Sequence, residues 1–179
     1  MLKKSFHTPI GTLTLVSHFG ELIYCNWDEA ACNRKLHKIE SLVGNSDDEL
    51  YDGILIKDRE VIENTCKQLN KYFAGSLKKF DLPIKLIGSD FQKSVWQKMN
   101  EIPFGKTCSY TEIAVKLDKP KAFRAVAGAC GANPFAIILP CHRVSGSHGK
   151  LGGYTGGTDK KQWLLEHEAK TSGKILTFQ

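Results

Sequence analysis

A cysteine and a histidine stand side by side in the segment Pro140-Cys141-His142-Arg143-Val144. The apolar run Ala136-Ile137-Ile138-Leu139 precedes them and is typical of a buried strand, which would hold the thiol at a fixed place. A glycine-rich stretch follows at 152–157, and it is poor material for a protein core. Most free cysteines act only as small buried hydrophobes. The neighbours of Cys141 favour a nucleophile instead, with the thiolate as its reactive form.

A thiol is mostly protonated at neutral pH, so a nucleophilic cysteine needs a base nearby. His142 is the candidate base, and Glu168 is the candidate carboxylate that orients it. Adjacent side chains of an extended backbone point to opposite faces, so the sequence does not establish contact between Cys141 and His142. On residue type alone His167 competes as the base, and Glu168 could equally be a solvated helix residue.

The composition is that of an ordinary globular chain. Its 179 residues are 41% hydrophobic and 25% charged, enough for a core in one domain or in two small ones. No segment reaches membrane-spanning length and Met1–His7 lacks the apolar stretch of a secretory signal, so we expect a cytoplasmic protein. The six cysteines have no short paired spacing and are expected to be free thiols.

The positive charge is concentrated in the second half of the chain. The formal net charge is +6, and residues 1–80 contain 11 basic and 11 acidic residues, whereas residues 81–179 contain 14 and 8. A localised basic excess favours a polyanionic partner, because neutralising phosphates releases counterions. A merely solvated basic face is the alternative on charge alone.

The first half predicts a small sheet followed by a helix. Thr12–Leu15 alternates polar and apolar residues and Leu22–Trp27 is rich in strand formers, which together predict a hairpin. Apolar residues recur at helical spacing over Val61–Phe73, and Gly75 is placed to end that helix in a left-handed conformation.

Composition predicts two further segments of the first half, a loop and a strand. The acidic residues Asp47-Asp48-Glu49 predict a loop, and Leu82, Ile84 and Leu86 predict one more strand. We place the domain boundary near Ile87-Gly88-Ser89.

Two capping boxes mark helix starts in the second half. Ser89 with Gln92 opens one helix, and Ser109 with Glu112 opens a second over Thr111–Leu117. A turn is predicted at Asp118-Lys119-Pro120, followed by a helix of small residues over Lys121–Cys130. Another turn is predicted over Ser145–Lys150. The final helix begins at Thr158 or Asp159 and runs to Glu168. Two short helices around a tight turn predict a helix-turn-helix, with two ordinary packed helices as the alternative.

These motifs resemble the O6-alkylguanine-DNA alkyltransferases, also called methylated-DNA-protein-cysteine methyltransferases, of the bacterial single-function type. Pro140–Val144 matches the signature of that family. Further matches occur in the family's order at Phe91-Gln92, Val95-Trp96, Ile102-Pro103-Phe104-Gly105, Ser109-Tyr110, Arg124-Ala125-Val126, Asn133-Pro134, Tyr154, Trp163-Leu164-Leu165 and His167-Glu168. The first half contributes only Thr8–Gly11 and Tyr72–Gly75.

The resemblance implies an α/β chain of two domains. Residues 1–87 would form a small N-terminal α/β domain, ribonuclease-H-like, and residues 88–179 a winged-helix-like domain with the helix-turn-helix and the active site. The implied activity is a single, irreversible transfer of a methyl or other alkyl group from O6-alkylguanine, and from O4-methylthymine, to Cys141. The implied partner is double-stranded DNA, bound through its minor groove with the damaged base flipped out, by a monomer that uses no cofactor.

The resemblance also assigns catalytic roles. Cys141 is the nucleophile, His142 activates it through a water, and Glu168 holds the imidazole. Tyr110 hydrogen-bonds the guanine ring and helps to protonate it as it departs. Asn133 resembles the hinge residue between the second helix and the active-site segment.

A second group of residues is implied to bind the substrate. Arg124 fills the gap that the flipped base leaves, and Tyr154 packs on the base. The carbonyls of Cys141 and Val144 read the exocyclic amine, and the amide of Thr155 donates to the alkylated oxygen. The remaining members of this group are Cys130 and Arg143.

Two other function classes fit parts of the pattern. A non-catalytic module could recognise alkylated guanine and recruit other factors, but such relatives carry another residue, commonly tryptophan, in place of the cysteine. A thiol hydrolase could use Cys141 and His142, but it would need an oxyanion site and would turn over many times.

Some positions depart from the family pattern. Thr155 stands where serine is common, Cys130 where another apolar residue is common, and Ala136 replaces a proline of mammalian members, which leaves the tolerance for bulky adducts open. Some members bind zinc in the N-terminal domain. We expect no metal here, because no paired ligand spacing connects His7, His18, Cys25, Cys32 and His37.

Overall fold

The computed structural model describes residues 1–40, 48–146 and 151–173, and the chain forms two compact units, Met1–Lys85 and Leu86–Gln179. Within the described ranges, no helix combines the length and the apolarity needed to cross a bilayer.

An antiparallel sheet forms the first unit, in the order β1 (Leu2–Thr8), β2 (Gly11–His18) and β3 (Glu21–Asn26). The predicted hairpin is confirmed as β2 and β3. Phe19 and Gly20 join them with φ of 53° and 75°, and positive φ at both turn residues matches the twist of a two-residue hairpin. β1 is largely exposed and polar, so it lacks the apolar alternation that would have predicted it.

Helices α1 (Glu29–Glu40) and α2 (Asp48–Phe73) pack against this sheet. The predicted helix is confirmed, but it begins at Asp48, so the loop predicted at Asp48-Glu49 is wrong, while Asp47 lies outside the described residues. Acidic residues in a first helical turn interact favourably with the helix dipole, and acidity therefore does not distinguish a loop from a helix start. Gly75 ends α2 with φ of 75°, as predicted.

The strand predicted at Leu82, Ile84 and Leu86 is wrong. Only a single parallel bridge joins Ile84 to Leu22, with the amide of Leu22 donating to the carbonyl of Pro83 at 2.7 Å. Pro83 has no N–H to donate, so it cannot extend a ladder of hydrogen bonds.

Helices dominate the second unit. They are α3 (Asp90–Asn100), α4 (Tyr110–Lys116), α5 (Phe123–Gly131) and α6 (Thr158–Thr171). Both capping boxes are confirmed: the side chains of Ser89 and Ser109 each accept from the backbone three residues on, and Gln92 and Glu112 accept in return. The indole of Trp96 donates to the carbonyl of Ala129 at 2.8 Å, which fixes α3 against α5.

The segment Ala136–Leu139 is a buried turn and not the predicted strand. Ile137 has φ of 71°, a left-handed conformation that strains a β-branched residue. A 3-10 turn, Cys141–Arg143, and the short strand β5 (Val144–Ser145) follow. β5 pairs in parallel with β4 (Cys108–Ser109). Most of the turn predicted over Ser145–Lys150 lies outside the described residues.

Candidate active site

The side chain of Asn133 holds the segment that carries Cys141. Its amide nitrogen donates to the carbonyl of Leu139 at 2.8 Å and to Sγ of Cys141 at 3.2 Å. Its amide oxygen accepts from the backbone N–H of Phe135 at 3.0 Å. These bonds explain why the chain turns here instead of extending as a strand. The cysteine is consequently fixed through its sulfur as well as through its backbone.

A buried carboxylate organises the side chains behind Cys141. Nε2 of His142 lies 2.9 Å from Oε1 of Glu168, and both side chains are fully buried. The guanidinium of Arg143 forks onto the same carboxylate, with Nε 2.9 Å from Oε2 and Nη2 2.9 Å from Oε1. The amide of Gly105 donates to Oε2 at 2.9 Å. Glu168 therefore accepts hydrogen bonds from three residues far from it in sequence.

These contacts set the protonation states of the cluster. Burial alone would raise the pKa of Glu168, but hydrogen bonds from His142 and Arg143, with the charge of Arg143, hold it well below its usual range. Burial lowers the pKa of His142 against the opposing effect of Glu168, so the imidazole is neutral near pH 7. The ionised carboxylate accepts the proton on Nε2, which leaves Nδ1 as the basic nitrogen. Nδ1 is buried and bonds to none of the described residues.

Cys141 is only 6% exposed as a residue. Burial raises its pKa, while the hydrogen bond from Asn133 and the positive charge of Lys161 act in the opposite direction. The protonated thiol is the resting form, and the neutral imidazole of His142, the next residue in the chain, is the candidate base.

A cavity of about 450 Å³ opens in front of Cys141, a volume typical of a small-molecule site. Its wall comes from α4, α5 and the glycine-rich loop, through Tyr110, Ala127, Cys130, Gly131, Cys141, Gly153, Tyr154 and Thr155. The hydroxyl of Thr155 donates to the carbonyl of Gly131 at 3.1 Å. This bond ties the loop to the end of α5.

Two tyrosines, Tyr110 and Tyr154, line this cavity. The ring of Tyr154 meets that of His142 edge-on, with centroids 6.5 Å apart. Burial raises the pKa of Tyr110, so its phenol is a donor at neutral pH. Gly152 approaches that phenol closely: a Cβ at Gly152 would lie 3.1 Å from its oxygen, and the φ of 66° also favours glycine. Both the backbone conformation and the short approach to Tyr110 therefore favour glycine at this position.

The outer face of α5 is smooth and carries an exposed arginine. Arg124 lies on this face, with its guanidinium 5.5 Å from the ring centroid of Phe123, which is itself 43% exposed. A Cβ added at Gly128 or Gly131 would meet nothing within 4 Å. Packing among the residues that the structure describes therefore requires neither glycine.

The residues predicted for the site fall into three groups. Those that line the cavity are Tyr110, Cys130, Cys141, Tyr154 and Thr155. Asn133, His142 and Glu168 are buried and are not among the lining residues, and Arg124 is exposed on α5.

Arg143 occupies a different place from the one predicted. Its Nη1 donates to the carbonyl of Ile102 at 2.7 Å and its other nitrogens hold Glu168. These bonds position Glu168, a role for Arg143 that the sequence did not predict. Val144 is fully buried, and its carbonyl already accepts a hydrogen bond from Lys161 at 2.6 Å.

Lys161 is the residue that the sequence analysis missed. It is fully buried on α6, one of few charged side chains in the core of the described chain. A signal existed, because Lys161, Leu164, Leu165 and Glu168 follow the i, i+3, i+4, i+7 spacing of a buried helix face.

No group of three or more His, Cys, Asp or Glu side chains is arranged to hold a metal ion among the residues that the structure describes. The side chain of His37, one of the zinc candidates, is outside that set.

Family models match both units of the chain. The model for the 6-O-methylguanine DNA methyltransferase ribonuclease-like domain matches residues 1–86. The model for the DNA binding domain of the same methyltransferase matches residues 90–170. Together they span nearly the whole sequence.

Individual proteins are similar over almost their full length. A methylated-DNA-protein-cysteine methyltransferase of Methanosarcina acetivorans is 42% identical over 91% of this chain and 95% of its own. One of Mycobacterium bovis is 40% identical over 98% of this chain and 96% of its own. The crystal structure of Mycobacterium tuberculosis OGT in complex with DNA superposes with a TM-score of 0.75 at 38% identity, covering 94% of this chain and 93% of that one.

Proposed function

The chain belongs to the 6-O-methylguanine DNA methyltransferase family, and on this premise we propose that it repairs DNA by direct reversal. It moves a methyl or other alkyl group from O6-alkylguanine in double-stranded DNA to its own Cys141. The observation that carries this proposal is a thiol on the wall of a cavity, next in the chain to a buried histidine, His142, that pairs with the buried carboxylate of Glu168.

The reaction is a displacement at carbon. The proton of Cys141 passes to Nδ1 of His142, through a bridging water as the family resemblance implies, and Glu168 stabilises the imidazolium. The thiolate attacks the alkyl carbon, a carbon-sulfur bond forms, the carbon-oxygen bond breaks and its electron pair stays on O6. The guanine takes up one proton from the phenol of Tyr110. The imidazolium of His142 then gives up its proton to replace the one that Tyr110 lost, so both residues end neutral.

The cavity is the receptor for a base turned out of the duplex. A stacked guanine hides the target carbon, so the nucleotide must rotate out and the gap must be supported. Arg124 fills that gap while the small-residue face of α5 enters the minor groove. The exposed arginine and the open space at Gly128 support this role.

Recognition of the flipped base rests on a few donors and acceptors. Tyr154 packs on the ring and Cys130 contributes to the apolar wall. The amide of Thr155 donates to the alkylated oxygen, where negative charge develops during transfer. The carbonyls of Cys141 and Val144 accept from the exocyclic amine, since a carbonyl oxygen has two lone pairs and Val144 uses one on Lys161.

The remaining parts of the proposal concern the whole protein. Residues 1–87 form the N-terminal domain and residues 88–179 the domain that binds DNA and transfers the alkyl group, with Asn133 as its hinge. The protein works as a monomer without a cofactor and also accepts O4-methylthymine. It resides in the cytoplasm, which agrees with six cysteines that form no disulfide.

Intact-mass analysis after mixing with an O6-methylguanine oligonucleotide tests the function. We expect one methyl group per protein, on Cys141, because water does not displace a thioether and no second transfer can follow. Cys141→Ser is the matched control and should gain none. A protein that binds the oligonucleotide without gaining mass would be a recognition module, and one that turns over repeatedly would be a hydrolase. Either result refutes the proposal.

A further inference from the structure

Helix α6 carries two ionisable side chains on its buried face. Lys161 and Glu168 lie two helical turns apart with Leu164 and Leu165 between them. Both ionisable side chains are fully buried. Lysine and glutamate are almost never fully buried unless they are paired, so each of the two requires a partner.

Glu168 has its partner, but Lys161 does not. The carboxylate is neutralised by the guanidinium of Arg143 at 2.9 Å. Nζ of Lys161 donates to the carbonyl of Val144 at 2.6 Å, and in residues 1–40, 48–146 and 151–173 no carboxylate lies within ion-pair distance of it. An ammonium has three N–H donors, so one carbonyl leaves two donors and the whole charge unmatched.

Among the described charged groups around Cys141, one positive charge lacks a negative partner. The titratable and charged groups that surround it are Tyr110 from α4, Cys130 from α5, His142 and Arg143 from its own turn, and Lys161 and Glu168 from α6. Arg143 and Glu168 cancel, and His142 is neutral. Burial keeps Tyr110 and Cys130 neutral as well, raising the pKa of Cys130 to about 12. One positive charge remains, beside one group able to become negative.

We propose that Lys161 is the counter-charge of the Cys141 thiolate. The buried ammonium stabilises the ionised sulfur during alkyl transfer and, through its hydrogen bond, aims the carbonyl of Val144. Burial lowers the pKa of Lys161, while the neighbouring Cys141 and Cys130 act in the opposite direction. The proposal requires the ammonium form, so Lys161 neither donates nor accepts a proton in the reaction. Lys161 acts through Cys141 and does not touch the alkyl group. The role of Lys161 in alkyl transfer rests on the proposed function, but the pairing of its charge with the Cys141 thiolate does not.

The pH dependence of Cys141 alkylation by iodoacetamide tests the pairing, because only the thiolate reacts. Peptide mass spectrometry separates Cys141 from the other cysteines. In Lys161→Met the inflection should move upward by about 1 pH unit or more. The rate at neutral pH then falls roughly tenfold or more, in proportion to the lost thiolate. Lys170→Met, on the exposed side of the same helix, should keep the wild-type inflection. Coincident inflections in Lys161→Met and wild type would overturn the proposal.

A reciprocal measurement covers the case in which Lys161→Met does not fold. Coupling between two sites acts equally in both directions, so the thiolate must raise the pKa of Lys161 by as much as the ammonium lowers that of Cys141. An NMR titration of isotopically labelled lysine follows Lys161 in wild type and in Cys141→Ser. We expect Lys161 to lose its proton at a lower pH, by about 1 unit or more, in Cys141→Ser. Identical titrations refute the pairing.

The two proposals fail in different ways. A wild-type protein that gains no methyl group from the O6-methylguanine oligonucleotide refutes the proposed function. The iodoacetamide profile needs no DNA and decides the role of Lys161 whichever way that experiment ends.

Discussion

Replacing Glu168 by glutamine removes the negative charge at the centre of the buried cluster and nearly preserves the size of the side chain. The carboxylate accepts from Nε and Nη2 of Arg143, from Nε2 of His142 and from the amide of Gly105. A glutamine offers one oxygen in place of two and carries no charge. The guanidinium of Arg143, 6% exposed as a residue, is then left without a counter-ion.

The magnitude follows from that isolated charge. Removing one partner of a buried ion pair typically destabilises a protein by about 3–5 kcal/mol. In a domain of roughly 60–100 residues each kcal/mol shifts the melting temperature by about 4–8 °C. We therefore expect Glu168→Gln to lower the Tm of the Leu86–Gln179 unit by at least about 12 °C.

A double variant is the matched control. Arg143→Met combined with Glu168→Gln removes both charges, and replacing a buried ion pair by uncharged groups is often nearly neutral. The double variant should therefore recover much of the stability that the single variant loses. Thermal unfolding followed by circular dichroism measures both. Equal melting temperatures for the single and the double variant would refute the charge balance described for this cluster.

Acid unfolding provides an independent check. Because the pKa of Glu168 is held well below its usual range, its stabilisation is complete above the ordinary glutamate value of about 4.3 and is lost as the pH falls toward the lower folded-state pKa. The wild-type Tm should fall over that window, and the Tm of Glu168→Gln should depend less on pH there. The same acid slope in both proteins would contradict the assignment.

Two further predictions concern the base-flipping arginine and a packed glycine. Arg124→Ala should slow repair of duplex DNA by roughly tenfold or more, since flipping costs a few kcal/mol, yet barely change reaction with a free O6-alkylguanine base; equal losses in both rate assays would remove Arg124 from this role. Gly88→Ala should destabilise by about 1–3 kcal/mol in chemical denaturation, because its Cβ would lie 2.7 Å from the indole of Trp96. The control Gly53→Ala, a helical position with nothing within 4 Å, should be neutral or slightly stabilising, and a loss as large as that of Gly88→Ala would count against the packing argument.

Features whose causes are local could be predicted from the sequence. Each capping box needs only a serine and a polar residue three positions on, as at Ser89 and Ser109. The hairpin between β2 and β3 follows from alternation and a glycine turn. Such features depend on neighbours in sequence, and the structure confirms them.

Features that depend on residues far apart in the sequence could not be predicted. The turn at Ala136–Leu139 depends on hydrogen bonds to the side chain of Asn133, which outweigh the preference of an apolar run for a strand. Arg143 binds a carboxylate 25 positions away, a contact that its place beside Cys141 in the sequence does not indicate. Lys161 reads as one more surface lysine until the packing of α6 buries it.

Thr155 has two roles: its backbone binds the substrate, and its side chain holds the loop in place. Its backbone amide points at the reacting oxygen in the proposed complex, and its own hydroxyl anchors the loop to Gly131. A neutral hydrogen bond of this kind contributes about 1 kcal/mol. Exchanging the threonine for valine would keep the backbone amide but remove the hydrogen bond that fixes its position. The amide would then be less well oriented toward the alkylated oxygen. The loss of transfer rate would be largest for the smallest alkyl groups, which contact little else in the cavity.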